Sequence, residues 1–116
     1  MKRIQTFIYS LLALAFCVQV QAQIGTFRFA QLTDIHLNQN KPNPTEDLLR
    51  SIAQINATDS LDFVLVTGDI TEEGDNATLH KVKQCLDLLR YPYYIVMGNH
   101  ETKWSESGCT MFAKIF

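Results

Sequence analysis

The sequence is short of cysteine, of positive charge and of long apolar runs, and each shortage excludes a class of protein. Three cysteines, Cys17, Cys85 and Cys109, are too few for a disulfide framework. With 10 Lys and Arg against 12 Asp and Glu, the formal net charge is -2, and no basic face for nucleic acid is evident. The apolar run over residues 7–18 is shorter than the ~20 residues that a membrane-spanning helix needs.

The composition that remains is typical of one small globular domain. Of the 116 residues, 47% are hydrophobic and 19% are charged, which separates the chain from disordered and fibrous proteins. The sequence contains no low-complexity segment and no linker. We therefore expect one domain at most.

The first 22 residues have the three-part order of a secretory signal peptide. Two basic residues come first, the apolar run follows, and Val20 and Ala22 occupy the small-residue positions before Gln23. We expect cleavage after Ala22 and export to the periplasm or the extracellular space. Residues 23–116 would then form the mature domain.

Two alternatives would keep the chain on a membrane. An uncleaved anchor is disfavoured because the apolar run is too short to span a bilayer. A lipid anchor at Cys17 is disfavoured because bulky Phe16 stands where a lipidation site requires a small residue. We therefore expect no stable membrane anchor.

Beyond residue 22, apolar runs alternate with amphipathic helical patterns. The expected strands cover 26–32, 61–69 and 91–99, and the expected helices cover 43–57 and 75–90. This alternation is typical of an α/β fold with a parallel or mixed sheet. The segment 61–69 is nearly all apolar, which predicts a central strand covered on both faces. Thr45 is the expected N-cap of the first helix.

Each expected strand is followed by polar residues: TDIH after the first, TGDI after the second and GNHE after the third. Ligand sites in open α/β sheets form beyond the carboxyl ends of the strands, so these residues should meet at one edge. The residues expected there are Asp34, His36, Asp69, Asn99 and His100.

The side chains of this group predict a metal site. Two carboxylates held together would repel each other, and a cation between them removes the repulsion. Carboxylate, imidazole and amide ligands together suit a divalent or trivalent ion such as Mn, Fe or Zn. Asp34 and His36 are two residues apart, so in an extended chain both side chains would face the same ion. Gly68 and Gly98 would let the backbone turn tightly before the ligand that follows each of them.

The segments DIH, GDITE and GNHE resemble the signature of the calcineurin-like metallophosphoesterases. The resemblance implies a four-layer α/β/β/α sandwich, of which this chain would supply a βαβαβ half. It also implies a binuclear metal centre. Asp34 and His36 would bind the first ion. Asp69 would bridge the two ions, and Asn99 would bind the second.

The activity that the resemblance implies is hydrolysis of phosphate mono- or diesters with two divalent or trivalent metal ions as cofactors. His100 would protonate the leaving oxygen or steady the phosphate, and Glu101 would orient His100. The segments QLTDIHL and GDITEEG are similar to those of the family branch that includes bacterial cyclic-nucleotide phosphodiesterases. The implied partner is therefore a small-molecule phosphate ester.

One departure from the family pattern concerns histidine. The pattern continues after GNHE with further histidines, including a G-H-x-H segment, but this chain contains only His36, His80 and His100. His80 falls within the second expected helix, where a histidine is more often solvated than a ligand. We expect the chain to be a half of the catalytic domain, truncated at the C-terminus. The alternative is an inactive remnant that serves as a binding or interaction module.

The signal-peptide hypothesis predicts a defined new N-terminus. Protein recovered from the periplasm or medium of a secreting host should begin at or near Gln23 in N-terminal sequencing, because the small residue Ala22 precedes the expected cleavage point. Recovery of the soluble protein from the cytosol with Met1 still in place would refute the hypothesis.

Overall fold

The structure is a computed structural model that describes residues 25–103, 105–107 and 109–116. The expected signal peptide, residues 1–22, lies outside the described residues, as does Cys17. Cleavage before Gln23 and the domain boundary that it sets therefore stay predictions.

Three short strands form one parallel sheet. β1 (Phe29–Leu32), β2 (Phe63–Val66) and β3 (Tyr93–Ile95) lie in the order β1-β2-β3. Both neighbouring pairs run parallel, so each connection has to cross back to the same end of the sheet. This arrangement confirms the predicted α/β fold and the central position of β2.

Four helices are formed by the described residues. α1 (Asn43–Ala57) connects β1 to β2, and α2 (Asn76–Leu86) connects β2 to β3. Two short helices, α3 (Asn99–Lys103) and α4 (Phe112–Ile115), follow β3. Within the described part of the chain, no helix has both the length and the apolar character that crossing a membrane would require.

The core lies between one face of the sheet and the two crossover helices. Val64 and Val66, at alternate positions of β2, are fully buried in the cluster that the helices complete. The helices contribute residues spaced three or four apart, which are Leu48, Ile52 and Ile55 from α1 and Leu79, Val82 and Leu86 from α2. This spacing places the apolar side chains of each helix on one stripe. The core therefore holds the sheet from one side.

The opposite face of the sheet carries a row of aromatic rings. Phe27, Phe29, Phe63 and Tyr94 follow one another with centroid separations between 5.4 and 6.0 Å. Phe27 and Tyr94 are each 62% exposed. The prediction that β2 is covered on both faces is therefore wrong within the described residues. The apolar residues of β2 have two different kinds of neighbour, helices on one face and cross-strand rings on the other.

The first long helix covers the predicted range, 43–57, but its N-cap is not the predicted residue. Its N-cap is Pro42, which makes no side-chain capping hydrogen bond, and Pro44 lies in the first turn. A proline is accepted there because the first N–H groups of a helix have no intrahelical partner. Thr45 lies inside the helix, so the prediction that it is the N-cap is wrong.

The second long helix begins at a capping aspartate. Asp75 accepts a hydrogen bond from the Thr78 N–H at 2.8 Å and another from Gln39 Nε2 at 2.6 Å. Burial is the largest influence on the Asp75 carboxyl and raises its pKa. The hydrogen bonds from Thr78 and Gln39 together outweigh burial, so the pKa lies below its ordinary value.

The Asp75 cap predicts a stability difference that depends on pH. Asp75→Ala should lower the free energy of unfolding at pH 7 by about 1 kcal/mol, because the Thr78 N–H loses its acceptor. A carboxyl whose pKa is lowered by folding stabilises the protein above its unfolded pKa. It stops doing so as the pH falls through the folded value.

Urea unfolding at pH 7 and at pH 3 would measure this difference. The gap between the wild-type protein and Asp75→Ala should narrow at the lower pH, because the ordinary aspartate pKa is about 3.9. Asp75→Asn is the matched control, since it keeps a capping oxygen and has no charge to lose. An equal gap at both pH values would contradict the assignment.

Candidate metal centre

The candidate site lies beyond the carboxyl ends of β1 and β2, where backbone hydrogen bonds continue between the two loops. The Asp34 N–H donates to the Gly68 carbonyl at 3.2 Å, and the His36 N–H donates to the Asp69 carbonyl at 3.0 Å. The next residues pair in the same way, through a parallel bridge between Leu37 and Thr71. The loops therefore run side by side, which brings the polar residues of both to one edge of the sheet.

Three of the predicted metal ligands have left-handed backbone conformations. The φ angles are 53° for Asp34, 46° for His36 and 49° for Asp69. Such conformations are uncommon outside glycine and cost about 1 to 3 kcal/mol each. The expectation of an extended DIH segment is therefore wrong, because β1 ends at Leu32 and both Asp34 and His36 have positive φ angles. Strained residues of this kind are concentrated at functional sites.

The two glycines that precede the expected ligands lie against each other. Gly68 has a φ of +96°, which confirms the predicted tight turn. At position 98, glycine is required by the space around it and not by a positive φ angle. A Cβ on Gly98 would lie 2.0 Å from Asp69 Oδ1 and 2.4 Å from the Asp69 nitrogen. The missing side chain of Gly98 therefore makes the space that the Asp69 carboxylate occupies.

Two imidazoles and one carboxylate converge at this edge. The ligand atoms of His36, Asp69 and His100 all lie within 4.8 Å of one another. The two histidine rings meet edge to face, with centroids 4.6 Å apart and planes at 89°. Asp69 Oδ1 also accepts a hydrogen bond from the His100 N–H at 3.1 Å. The structure thus brings together predicted residues from the ends of all three strands.

Two other predicted ligands lie at the margin of this group. Asp34 Oδ1 is 3.8 Å from His36 Nε2, and the Asp34 side chain is 62% exposed. Asn99 is the first residue of α3 and is exposed. It lines an open depression of about 510 Å³ together with Glu72, Glu73 and His100. Asp34 is thus beside the His36 ring, and Asn99 lines the same depression as His100.

Glu72, the last residue of the GDITE segment, has a role at this edge that was not expected from the sequence. Its carbonyl oxygen is 2.5 Å from His100 Nδ1. Its carboxylate oxygen Oε2 is 3.0 Å from His36 Nδ1. Glu72 therefore contacts both histidine rings, that of His100 through its backbone carbonyl and that of His36 through its carboxylate. The family motif marked this position, but nothing in the local sequence showed which atoms would be used.

Glu101, which was expected to orient His100, has other partners in the structure. Its side chain is buried, and its carboxylate accepts hydrogen bonds from Thr71 and Gly98. The His100 ring nitrogen Nδ1 contacts the Glu72 carbonyl oxygen instead. No direct contact between the Glu101 carboxylate and the His100 ring is therefore seen among the described residues. Thr71, which Glu101 contacts, nevertheless immediately precedes Glu72.

The donor set at this edge fits a metal ion. Imidazole nitrogens and a carboxylate oxygen are ligands that Mn, Fe and Zn share. His36 Nδ1 is buried and has no hydrogen-bond partner among the described residues, since Glu72 Oε2 is close enough but not in line. His36 Nδ1 can find a partner in two ways: it can donate a hydrogen bond to Glu72 Oε2, or it can bind a cation. No change of backbone is needed for His36 and Asp69 to contact one ion.

Comparison with known proteins gives a match over most of the chain. The family model described as calcineurin-like phosphoesterase matches residues 27–115. A probable cyclic nucleotide phosphodiesterase from Rhodopseudomonas palustris is 32% identical over 95 residues, which cover 77% of this chain and 32% of that protein. A probable glycerophosphodiester phosphodiesterase from Arcobacter nitrofigilis is 33% identical over 67 residues, covering 58% of this chain and 18% of that protein.

A third relative has the same kind of name and covers a similar region. A probable cyclic nucleotide phosphodiesterase from Xenorhabdus bovienii is 26% identical over 83 residues, covering 64% of this chain and 34% of that protein. The chain thus spans about a third or less of the length of the curated relatives that it matches.

The contact between Gly98 and Asp69 predicts that a single methyl group damages this edge. Gly98→Ala should lower the free energy of unfolding by at least about 1 to 3 kcal/mol, because backbone and carboxylate atoms have to move to admit the new Cβ. Gly25→Ala is the control, since a Cβ there would meet nothing within 4 Å. Urea unfolding of both variants measures the difference, and equal stability of the two would show that the close approach is absent in solution.

Proposed function

Because the chain belongs to the calcineurin-like phosphoesterase family, we propose that it takes part in hydrolysing phosphate mono- or diesters of small molecules at a centre of two metal ions. The observation that carries the proposal is the convergence of His36, Asp69 and His100 within 4.8 Å at the carboxyl edge of a parallel sheet. Such an edge is where ligand sites form in open α/β folds.

The metal ligands that we propose are the four expected from the sequence. Asp34 and His36 would hold the first ion, with Asp69 between the two ions. Asn99 would contribute an uncharged oxygen to the second ion from the first turn of α3. Bound divalent ions of this kind lower the pKa of water and neutralise charge on a phosphate. The ion types that suit these ligands are Mn, Fe and Zn.

We propose that His100 exchanges a proton with the substrate. A carbonyl oxygen only accepts hydrogen bonds, so the contact with the Glu72 carbonyl requires the proton of a neutral His100 ring to be on Nδ1. The other ring nitrogen, Nε2, then carries a proton only in the imidazolium form. We propose that this form donates its Nε2 proton to the leaving oxygen. The contact with Glu72 fixes the ring for that purpose.

The substrate class that we propose follows from the relatives. Two of them are named probable cyclic nucleotide phosphodiesterases and one a probable glycerophosphodiester phosphodiesterase. All three names describe phosphodiesters, so we favour a diester over a monoester. We also propose that the protein acts outside the cytoplasm, since the first 22 residues have the order of a signal peptide.

The second ion has fewer ligands from this chain than the first, since only Asp69 and Asn99 are assigned to it. We therefore expect little hydrolysis of bis-p-nitrophenyl phosphate by this chain with Mn²⁺, and more by any longer polypeptide that carries it. Robust turnover by the chain itself would show that the residues assigned here suffice. Bound Mn²⁺ without turnover in either protein would favour an inactive module that retains metal binding.

The roles of Asp69 and His100 can be separated by mutation in whichever protein shows turnover. Asp69→Asn should lower Mn²⁺ content and abolish hydrolysis of every substrate, because the bridging carboxylate is lost. His100→Ala should keep its Mn²⁺ and lose on the order of 10²–10⁴ in rate, the usual contribution of a positioned proton donor. His80→Ala, an exposed histidine in α2, is the matched control and should behave as the wild-type protein.

The leaving group provides the decisive measurement for His100. p-Nitrophenolate departs without protonation, whereas an alkoxide needs a proton, so the defect of His100→Ala should be smaller for the aryl ester. Metal content is measured on the same samples. Loss of Mn²⁺ from His100→Ala would make His100 a ligand, and an equal defect with both leaving groups would exclude the acid role.

A further inference from the structure

A buried carboxylate lies directly behind the candidate metal centre. Glu101 is 1% exposed. Its Oε1 accepts hydrogen bonds from the Thr71 N–H at 2.9 Å and from the Thr71 hydroxyl at 3.0 Å. Its Oε2 accepts a third from the Gly98 N–H at 2.9 Å. A carboxylate is costly to bury unless several donors replace water, and these three donors do so.

The three donors come from two different loops. Thr71 lies two residues after Asp69, in the loop that follows β2. Gly98 immediately precedes Asn99, in the loop that follows β3. Glu101 therefore connects the segment that carries one expected ligand to the segment that carries another.

The hydrogen bonds of Glu101 continue beyond Thr71 to Gly74. The Thr71 hydroxyl donates to Glu101 and accepts a hydrogen bond from the Gly74 N–H at 3.0 Å, which closes the turn after Asp69. Thr71 and Gly74 are both buried. On the other side, the missing side chain of Gly98 leaves room for Asp69. The spacing between the two loops thus depends on a small connected group of polar atoms.

We propose that Glu101 is a positioning residue. It sets the distance between the loop after β2, which carries Asp69, and the loop after β3, which leads to Asn99, and so determines how tightly the centre binds metal. This inference rests on the proposed function, because it needs a metal at this edge. Glu101 itself contacts neither the substrate nor the metal. It acts through Thr71 and Gly98, with both carboxylate oxygens needed, one for each loop.

Manganese titration of the chain tests this role at constant pH. Glu101→Gln keeps the size of the side chain but turns one oxygen into an NH₂ group, which would face an N–H donor. We expect Mn²⁺ affinity to fall about 10- to 100-fold, the usual effect of removing a group that orients ligands. Mn²⁺ electron paramagnetic resonance gives the bound fraction, and circular dichroism gives the folded fraction of the same samples.

The matched control is another carboxylate that joins two segments, placed away from the metal edge. Asp62 Oδ2 accepts the Arg28 N–H at 2.7 Å, just before β1 and β2 begin. Asp62→Ala removes this acceptor and should lower stability without changing Mn²⁺ affinity. An equal loss of affinity in this control would show that any weakening of the sheet acts on the centre, which would overturn a specific role for Glu101.

A second pair of variants keeps the proposal testable even if Glu101→Gln does not fold. Thr71→Val removes the hydroxyl, and Thr71→Ser keeps it. Mn²⁺ affinity should fall in Thr71→Val and stay near that of the wild-type chain in Thr71→Ser. Combining Thr71→Val with Glu101→Gln should weaken binding by less than the product of the two single effects, because both variants break the same connection.

The outcomes separate this inference from the proposed function. A wild-type chain that binds no Mn²⁺ would refute the metal centre, and the role of Glu101 would fail with it. A wild-type chain that binds Mn²⁺, with Glu101→Gln and Thr71→Val unchanged in affinity, would refute the role of Glu101 alone. Weak binding by Thr71→Ser, equal to that of Thr71→Val, would also overturn it.

Discussion

The close approach of two loops at Gly68 and Gly98 is the constraint on which the candidate centre depends. A Cβ on Gly68 would lie 2.6 Å from the Gly98 nitrogen, and a Cβ on Gly98 would lie against Asp69. Neither loop could keep its position with a larger residue. Because the backbones are this near, Asp69 can reach the His100 N–H in the first turn of α3. One side chain from the loop after β2 is thereby placed among residues that follow β3.

The same edge accumulates backbone strain, and the hydrogen bonds between the loops hold it in place. Positive φ angles occur at Asp34, His36 and Asp69. Backbone N–H and carbonyl groups of the same residues form hydrogen bonds between the loop after β1 and the loop after β2. Strained conformations persist only where the surroundings over-determine them. Leu37 and Ile70, which follow His36 and Asp69 in the chain, are buried in the core and anchor the two loops there. Burial of apolar residues in the core thus offsets the cost of the positive φ angles at the site.

The parts of the structure that the sequence predicted are those with a repeating pattern. Apolar spacing was enough for the sheet, the crossover helices and the convergence at one edge, because side-chain periodicity follows from helix and strand geometry. The conformation of DIH and the partners of Glu101 were not predicted. Each depends on contacts between residues far apart in the chain, such as the hydrogen bond from Thr71 to Glu101. A local pattern carries no information about such contacts.

The two glutamates of the GDITE and GNHE segments show how burial divides one residue type between two tasks. Glu101 is enclosed by N–H and hydroxyl donors, so its charge is satisfied within the protein. The Glu72 side chain is 45% exposed and faces His36, with the Asp34 carboxylate also beside that ring. Two carboxylates held beside one ring repel each other unless a positive charge is present. A divalent cation at this edge would supply that charge, which is the physical reason to expect an ion among these residues.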